Sequence, residues 1–270
     1  MKKQTNLLHR LLLPLLAAAT LAGCTSEEAE PAGAQTWQVS IPTGGDGEMT
    51  RTLLSVSGTT MSAQWKTTDE VKVYKSTALV GTVKPKAAAT SSTLTGTLTG
   101  TFAKNNTLTL YWPSNTPDYT TQDGSLDGTN GISKKDYIEA TVTVSAVDNS
   151  NGILKTTTAT FSHRQSFTKF TFSTAVHQVV ISASGMSTIT VTAASGNQTD
   201  FYVALPLEGS VSYTFACTTS AGVEYRGTKT GNLTHGKYYT ATVDIAPGVG
   251  VTNTSSWGNN STDNIGNIYF

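Results

Sequence analysis

Cys24 is the residue with the clearest chemistry in this chain. It closes the run Leu21-Ala22-Gly23-Cys24, in which small residues precede a thiol placed to carry acyl chains. Ahead of it lie Lys2, Lys3 and Arg10, then an apolar stretch from Leu11 to Ala19. Charge followed by a short apolar run is the order of an export signal, and the run falls short of the about 20 residues that span a bilayer core. Residues 1–23 therefore read as a cleaved lipoprotein signal and Cys24 as the lipidated first residue of the mature protein. Buried acyl chains, at about 0.8 kcal/mol per CH2, hold a protein on a membrane without a transmembrane helix.

Other reactive side chains do not assemble into a site. Cys217 sits in the alternating run Tyr213–Thr218 and reads as a small buried hydrophobe. His163, His177 and His235 lack metal-ligand spacing. Asp123 and Asp127, in Asp123-Gly124-Ser125-Leu126-Asp127-Gly128, read as turn acids, because a calcium loop needs denser alternating acids and a distal Glu. There is no Gly-x-Ser-x-Gly elbow and no phosphate-binding glycine loop opening a helix. The expectation is a protein with no catalytic residues, metal or cofactor. Trp37, Trp65, Trp112 and Trp257 are spread out and read as packing residues. Tyr111-Trp112 and Tyr119 are the candidates for a carbohydrate platform.

The elements that carry these residues are strands. Only 13% of the 270 residues are charged and the net charge is zero, against about 25% charged in an average soluble protein. Nothing in that balance points to nucleic acid. Thr, Ser, Gly and Asn fill the polar positions, and β-branched Thr suits a half-exposed strand. Period-2 alternation predicts strands over Gln38–Ile41, Leu53–Ser57, Ser62–Trp65, Glu70–Lys75, Leu108–Trp112, Tyr137–Val144, Thr157–Phe161, Lys169–Phe172, Gln178–Ser182, Ser187–Thr192, Asp200–Leu205, Ser212–Thr218, Glu224–Thr228 and Tyr238–Ile245. Many short strands separated by turn signals predict an all-β chain of β-sandwiches. The divisions read as a signal at 1–23, an acidic tether at 24–35, an N-terminal sandwich at 36–148, a C-terminal sandwich at 149–250 and a tail at 251–270. The Asn- and Gly-bearing stretch Asp148–Gly152 sets the middle boundary, and the loop Pro113–Lys135 is long enough to suggest a function. The acids Glu27, Glu28 and Glu30 behind Cys24 read either as a solvated spacer or as a surface-export address.

The chain resembles the fimbrillin and fimbrillin-like lipoproteins of Bacteroidota, the subunits of type V pili and their relatives. The resemblance is carried by Thr50-Arg51-Thr52, Gln64–Tyr74, Leu110-Tyr111-Trp112-Pro113, Tyr119 with Thr121–Leu126, Ala159–Phe170, Leu205-Pro206 and Gly236-Lys237-Tyr238-Tyr239, in that order behind a lipobox. It implies two tandem Greek-key, transthyretin-like sandwiches. It also implies a trypsin-like cut after Arg51 that removes the lipid-bearing segment and the first strand, opening a groove for a strand of another subunit. Ile265, Ile268 and Phe270 in the tail are the candidate donor residues, with packing back onto the chain's own domain as the other outcome. Implied partners are other fimbrial subunits, the outer membrane through the lipid on Cys24, and a host or bacterial surface ligand. The chain is shorter than shaft pilins and ends in an Asn- and Ser-rich segment, which fits a minor, accessory or tip subunit as well as a shaft. The competing reading is a non-polymerising surface lipoprotein that binds glycan or peptide.

Overall fold

Alternation decides the fold because each strand has one face to bury. In a computed structural model, residues 35–44, 53–57, 60–245 and 264–269 are described. Cys24, Arg51, Trp257 and Phe270 lie outside them. The first half contributes β1 (Thr36–Pro42), β2 (Leu53–Ser57), β3 (Thr60–Gln64), β4 (Val71–Lys75), β5 (Ala78–Pro85), β6 (Thr93–Thr99), β7 (Thr107–Trp112), β8 (Thr121–Gln122), β9 (Ile138–Asp148), β10 (Ile153–Thr156) and β11 (Ser162–His163). The second contributes β12 (Ser166–Ser182), β13 (Ile189–Thr192), β14 (Gln198–Leu205), β15 (Gly209–Thr219), β16 (Glu224–Leu233), β17 (Tyr238–Asp244) and β18 (Asn264–Tyr269). One 3-10 turn, Ile132–Lys134, is the helical element among the described residues. The chain is all-β.

The first sheet runs β10-β1-β6-β5-β4-β7-β9-β11, and a further β9–β10 pairing returns the ladder to its start. One long strand makes this closure. β9 holds β7 through Ile138–Thr143 and β10 through Val144–Asp148. Its inward residues Ile138, Ala140, Val142 and Val144 are buried and join Trp65, Val71, Val73, Val83, Leu94, Leu98, Leu108 and Leu110 in a single core. The second half repeats the device with β12. Ser166–Thr171 pairs with β14, and Phe167–Phe172 with β17, whereas Gln178–Ile181 pairs with both β13 and β15. Register shifts between Thr171 and Gln178 let the strand pass from one layer to the other. Phe170, Phe172, Val179, Ile181, Phe201, Val203, Phe215 and Val243 fill the space between the layers.

Three sequence expectations are corrected. The first sheet continues past Asp148, because Asp148–Gly152 is the hairpin turn from β9 to β10. The change of sheet falls at Arg164-Gln165, between β11 and β12. Ala78–Pro85 and Thr93–Thr99 are strands that glycines had disguised. Gly96 sits opposite Val83, where an added Cβ would lie 2.4 Å from the Thr82 carbonyl. Thr157–Phe161 is no strand: only Ala159 forms a bridge, to Thr43.

Between the cores lies a third cluster of Leu54, Met61, Ala63, Ile132, Phe167, Ala204 and Tyr238. It seats the β2–β3 hairpin and the 3-10 turn against the outer face of β12, β14 and β17. Pro113–Lys135 is a strap that holds the two sandwiches together. Its strand β8 pairs in parallel with β13, and the Gln122 side chain donates to the Ala204 carbonyl (2.9 Å) and accepts from the Ala204 N–H (2.9 Å).

Candidate functional site: the slot of the first strand

β1 reads Thr-Trp-Gln-Val-Ser-Ile-Pro, and its exposure alternates strictly, with Trp37, Val39 and Ile41 inward. Those three are 1%, 4% and 0% exposed, so the strand is a row of plugs in the first core. It pairs antiparallel with β6 over all seven residues, Thr36↔Thr99 to Pro42↔Thr93. On its other side it pairs in parallel with β10, Gln38↔Ile153 to Ser40↔Lys155. Trp37 anchors the start: its indole N–H donates to the Gly100 carbonyl (2.7 Å), and its ring meets Phe102 edge-on at 6.1 Å. Pro42, which cannot donate to a ladder, stands at the end. Beyond it, the Thr43 hydroxyl donates to the Ser92 carbonyl (2.6 Å) and Gly44 N–H donates to the Ala159 carbonyl (2.9 Å).

Among the described residues, both strands that pair with β1, β6 and β10, lie C-terminal to position 51. The described chain leaves β1 at Gly44 and re-enters at Leu53, so Arg51 falls in the link between β1 and the rest of the fold. A break there severs β1 from the chain and leaves its slot intact. Without β1, the facing edges of β6 and β10 present unpaired N–H and C=O groups over an apolar floor that includes Leu94, Leu98 and Leu154.

The tail residues Ile265 and Ile268 lie in β18. This strand runs parallel to β17 of the same chain, Thr240↔Asn264 and Thr242↔Asn267 to Asp244↔Tyr269, and forms an edge of the second sandwich. The structure thus holds the segment in cis.

The other flagged residues take structural places. Asp123 accepts from Ser125 N–H (3.0 Å), Ser125 hydroxyl (2.6 Å) and Asn130 N–H (2.8 Å), and Asp127 accepts from the Ser133 hydroxyl (2.6 Å). These bonds shape the strap. Among the described residues no group of three His, Cys, Asp or Glu side chains is placed to hold a metal ion. His163 Nδ1 lies 2.7 Å from Asp136 Oδ1, a spacing that also suits a catalytic base and its orienting acid. Here both side chains are sealed in, and the ring abuts Phe167 and Gly236. Gln165 completes the cluster. It donates to Asp136 (2.7 Å) and accepts from the Tyr119 hydroxyl (3.1 Å) and Tyr137 N–H (3.0 Å), joining strap, first sheet and second sheet. Burial, then the negative Asp136, pushes the Tyr119 phenol above its ordinary range. His177 is exposed and His235 bonds the Pro206 carbonyl at 3.1 Å. Cys217 is fully buried, and burial raises its thiol pKa to about 12.

The proposed carbohydrate platform is corrected in part. Trp112 faces the first core and Tyr119 is committed to Gln165. Tyr111 does face outward, between Tyr74 and Tyr137. Sequence reading does not single out those two tyrosines, or Gln122, Asp136 and Gln165, as site or junction residues, although Tyr74, Gln122 and Gln165 fall inside the stretches that carry the resemblance.

No family model and no curated protein matches this chain. Solved structures do resemble it. A candidate cell adhesion protein from Bacteroides uniformis aligns at TM-score 0.42 and 12% identity, covering 81% of this chain and 94% of that one. A second candidate cell adhesion protein, from Bacteroides fragilis, aligns at TM-score 0.43 and 10% identity, covering 83% and 99%. A tip fimbrial protein from Porphyromonas gingivalis, truncated at its C-terminus, aligns at TM-score 0.39 and 8% identity, covering 79% and 96%. At these scores the functional reading rests on the chain itself.

Proposed function

We propose that this chain is an adhesive subunit of a cell-surface fimbria, exported as a lipoprotein on Cys24 and assembled by exchange of β1. Its place is the outer membrane first and the fimbria once assembled. The observation that carries the reading is the position of β1: a fully plugged, doubly paired strand whose partners all lie beyond Arg51. Cleavage after Arg51 releases the strand together with the lipid. A strand from another subunit then fills the slot, with ladder hydrogen bonds supplying affinity and the seats of Trp37, Val39 and Ile41 supplying register. Each large apolar plug is worth about 1.5–3 kcal/mol of burial. β18, a six-residue edge strand against β1's seven, is the donor of matching length.

Arg51→Ala tests the cut. N-terminal sequencing of protein from cells that hold the processing protease should find wild type beginning at Thr52 and the variant retaining upstream residues. The same mature N-terminus in both would sink the proposal. Deleting residues 264–270 should then remove high-molecular-weight ladders from unheated gels; ladders that persist would assign the donor strand elsewhere.

A further inference from the structure

The outer face of the first sandwich carries a cleft unrelated to strand exchange. Lys72 and Tyr74 on β4, Thr109 and Tyr111 on β7, and Glu139 and Thr141 on β9 point away from the core, because the residues alternating with them are buried. Tyr111 occupies the middle. Its ring meets Tyr74 edge-on at 5.6 Å and lies parallel to Tyr137, 3° between planes, at 6.1 Å. The loop after β7 brings Ser114, Asn115 and Thr116 beside the rings, and the six residues line an open cleft of about 300 Å3. All three rings are half-buried, whereas Asn115 and Thr116 are exposed. Among the described residues, none of the three phenolic hydroxyls nor the Asn115 side chain has a protein hydrogen-bond partner.

We infer that this cleft binds a neutral sugar, one or two pyranose rings of a surface glycan. Three features of the chemistry select that class. Tyrosine faces carry negative π density, which attracts the polarised axial C–H groups on one side of a pyranose. Phenol, hydroxyl and amide groups at the rim offer both donors and acceptors to sugar hydroxyls. The volume lies at the small end of ligand pockets, about 300–1,000 Å3. Glu139 is paired with Arg164, which leaves Lys72, across from Tyr111, as the one uncompensated charge among these outward residues, fewer than a site built around a charged ligand would bring together. The surrounding Lys72, Thr109, Glu139 and Thr141 are polar, whereas a stable protein interface wants about 800 Å2 per side with an apolar centre. The inference goes beyond the strand-exchange reading and stands whether or not β1 leaves, because none of the six lining residues belongs to β1 or its partners β6 and β10.

Saturation-transfer NMR on the full chain bearing Cys24→Ser, with lactose, maltose, cellobiose and mannobiose as probes at millimolar concentration, tests it. At least one disaccharide should show transfer strongest at the C–H protons of one ring face. Tyr111→Ala should weaken that binding roughly tenfold, the loss of one good aromatic contact. Asn115→Ala, in an exposed loop outside the core, should weaken it while leaving the protein spectrum unchanged. No transfer to any of the four probes overturns the inference, as does transfer undiminished in both variants. Concentration-dependent self-association abolished by Tyr111→Ala, without a sugar signal, also overturns it and assigns the cleft to a second copy of the chain.

Discussion

Trp37 is the residue on which retention of the first strand most depends, and its contribution can be worked through. The side chain is 1% exposed, packs edge-on against Phe102 and donates its indole N–H to Gly100. Trp37→Ala removes the largest plug of β1 and leaves a cavity, a change that costs about 3–5 kcal/mol. Trp37→Phe keeps a ring against Phe102 but loses the donor, and the expected cost is about 1–2 kcal/mol from the unpaired carbonyl and lost volume. Gln38→Ala, one residue along on the solvent face, is the control and should stay within about 0.5 kcal/mol. Urea unfolding followed by circular dichroism reads the series. With a slope of about 2–3 kcal/mol/M, Trp37→Ala should lower the midpoint of the first sandwich by roughly 1–2 M. The same variant should release β1 faster after a cut at Arg51, because the plug is gone while both ladders remain. A midpoint for Trp37→Ala within error of Gln38→Ala would refute the plugged-strand argument.

Three further outcomes follow from the second sandwich. Gln122→Ala strands the buried Ala204 N–H and carbonyl and should cost about 2–4 kcal/mol, with faster hydrogen exchange at the Ala204 amide. Gly236→Ala places a side chain at φ +77° with its Cβ 3.4 Å from the His163 ring, and should destabilise the fold by at least about 1–2 kcal/mol, the cost of a left-handed residue, seen as a lower melting temperature. Cys217 should resist alkylation at pH 8 in the folded chain and react at once in denaturant, because burial holds its thiol pKa near 12. The sign for stability runs the same way. The unfolded thiol ionises first, so the stabilisation is whole below about pH 8.5 and is lost as pH rises from there toward 12, a decline that urea midpoints across that range would show.

How far the sequence reveals this structure depends on whether a residue's role is set by its neighbours in the chain or by distant ones. β1 is legible because its alternation is unbroken and one face is buried throughout, and β17 because Tyr239, Ala241 and Val243 alternate inward. β12 reads as two strands, Lys169–Phe172 and Gln178–Ser182, because its exposed middle interrupts the apolar pattern where the strand changes layers. β5 and β6 are hidden by Gly81 and Gly96, whose missing side chains are the price of close strand approach rather than signs of a turn. Asp148–Gly152 has turn composition, and that composition is the same for a hairpin as for a linker. Gln122 carries no local signal, since its partner is 82 positions away. Tyr111 could be flagged from its place beside the long loop, whereas Tyr74 and Tyr137 become part of the cleft only once strand order is known.

The strap also sets an order of events during folding. Thr121 and Gln122 belong to the first half of the chain, yet their partners are Thr190 and Val191. A ribosome making about 5–20 residues per second delivers β13 several seconds after β8. During that interval the first sandwich has most of its strands, while the buried carbonyl and amide seats for Gln122 do not yet exist. The strap must stay loose until β14 arrives, and closing so long a loop is entropically slow. Docking of Gln122 therefore marks the completion of the second sandwich, and a chain truncated before Ala204 is left with an unpaired glutamine strand that invites association with other chains.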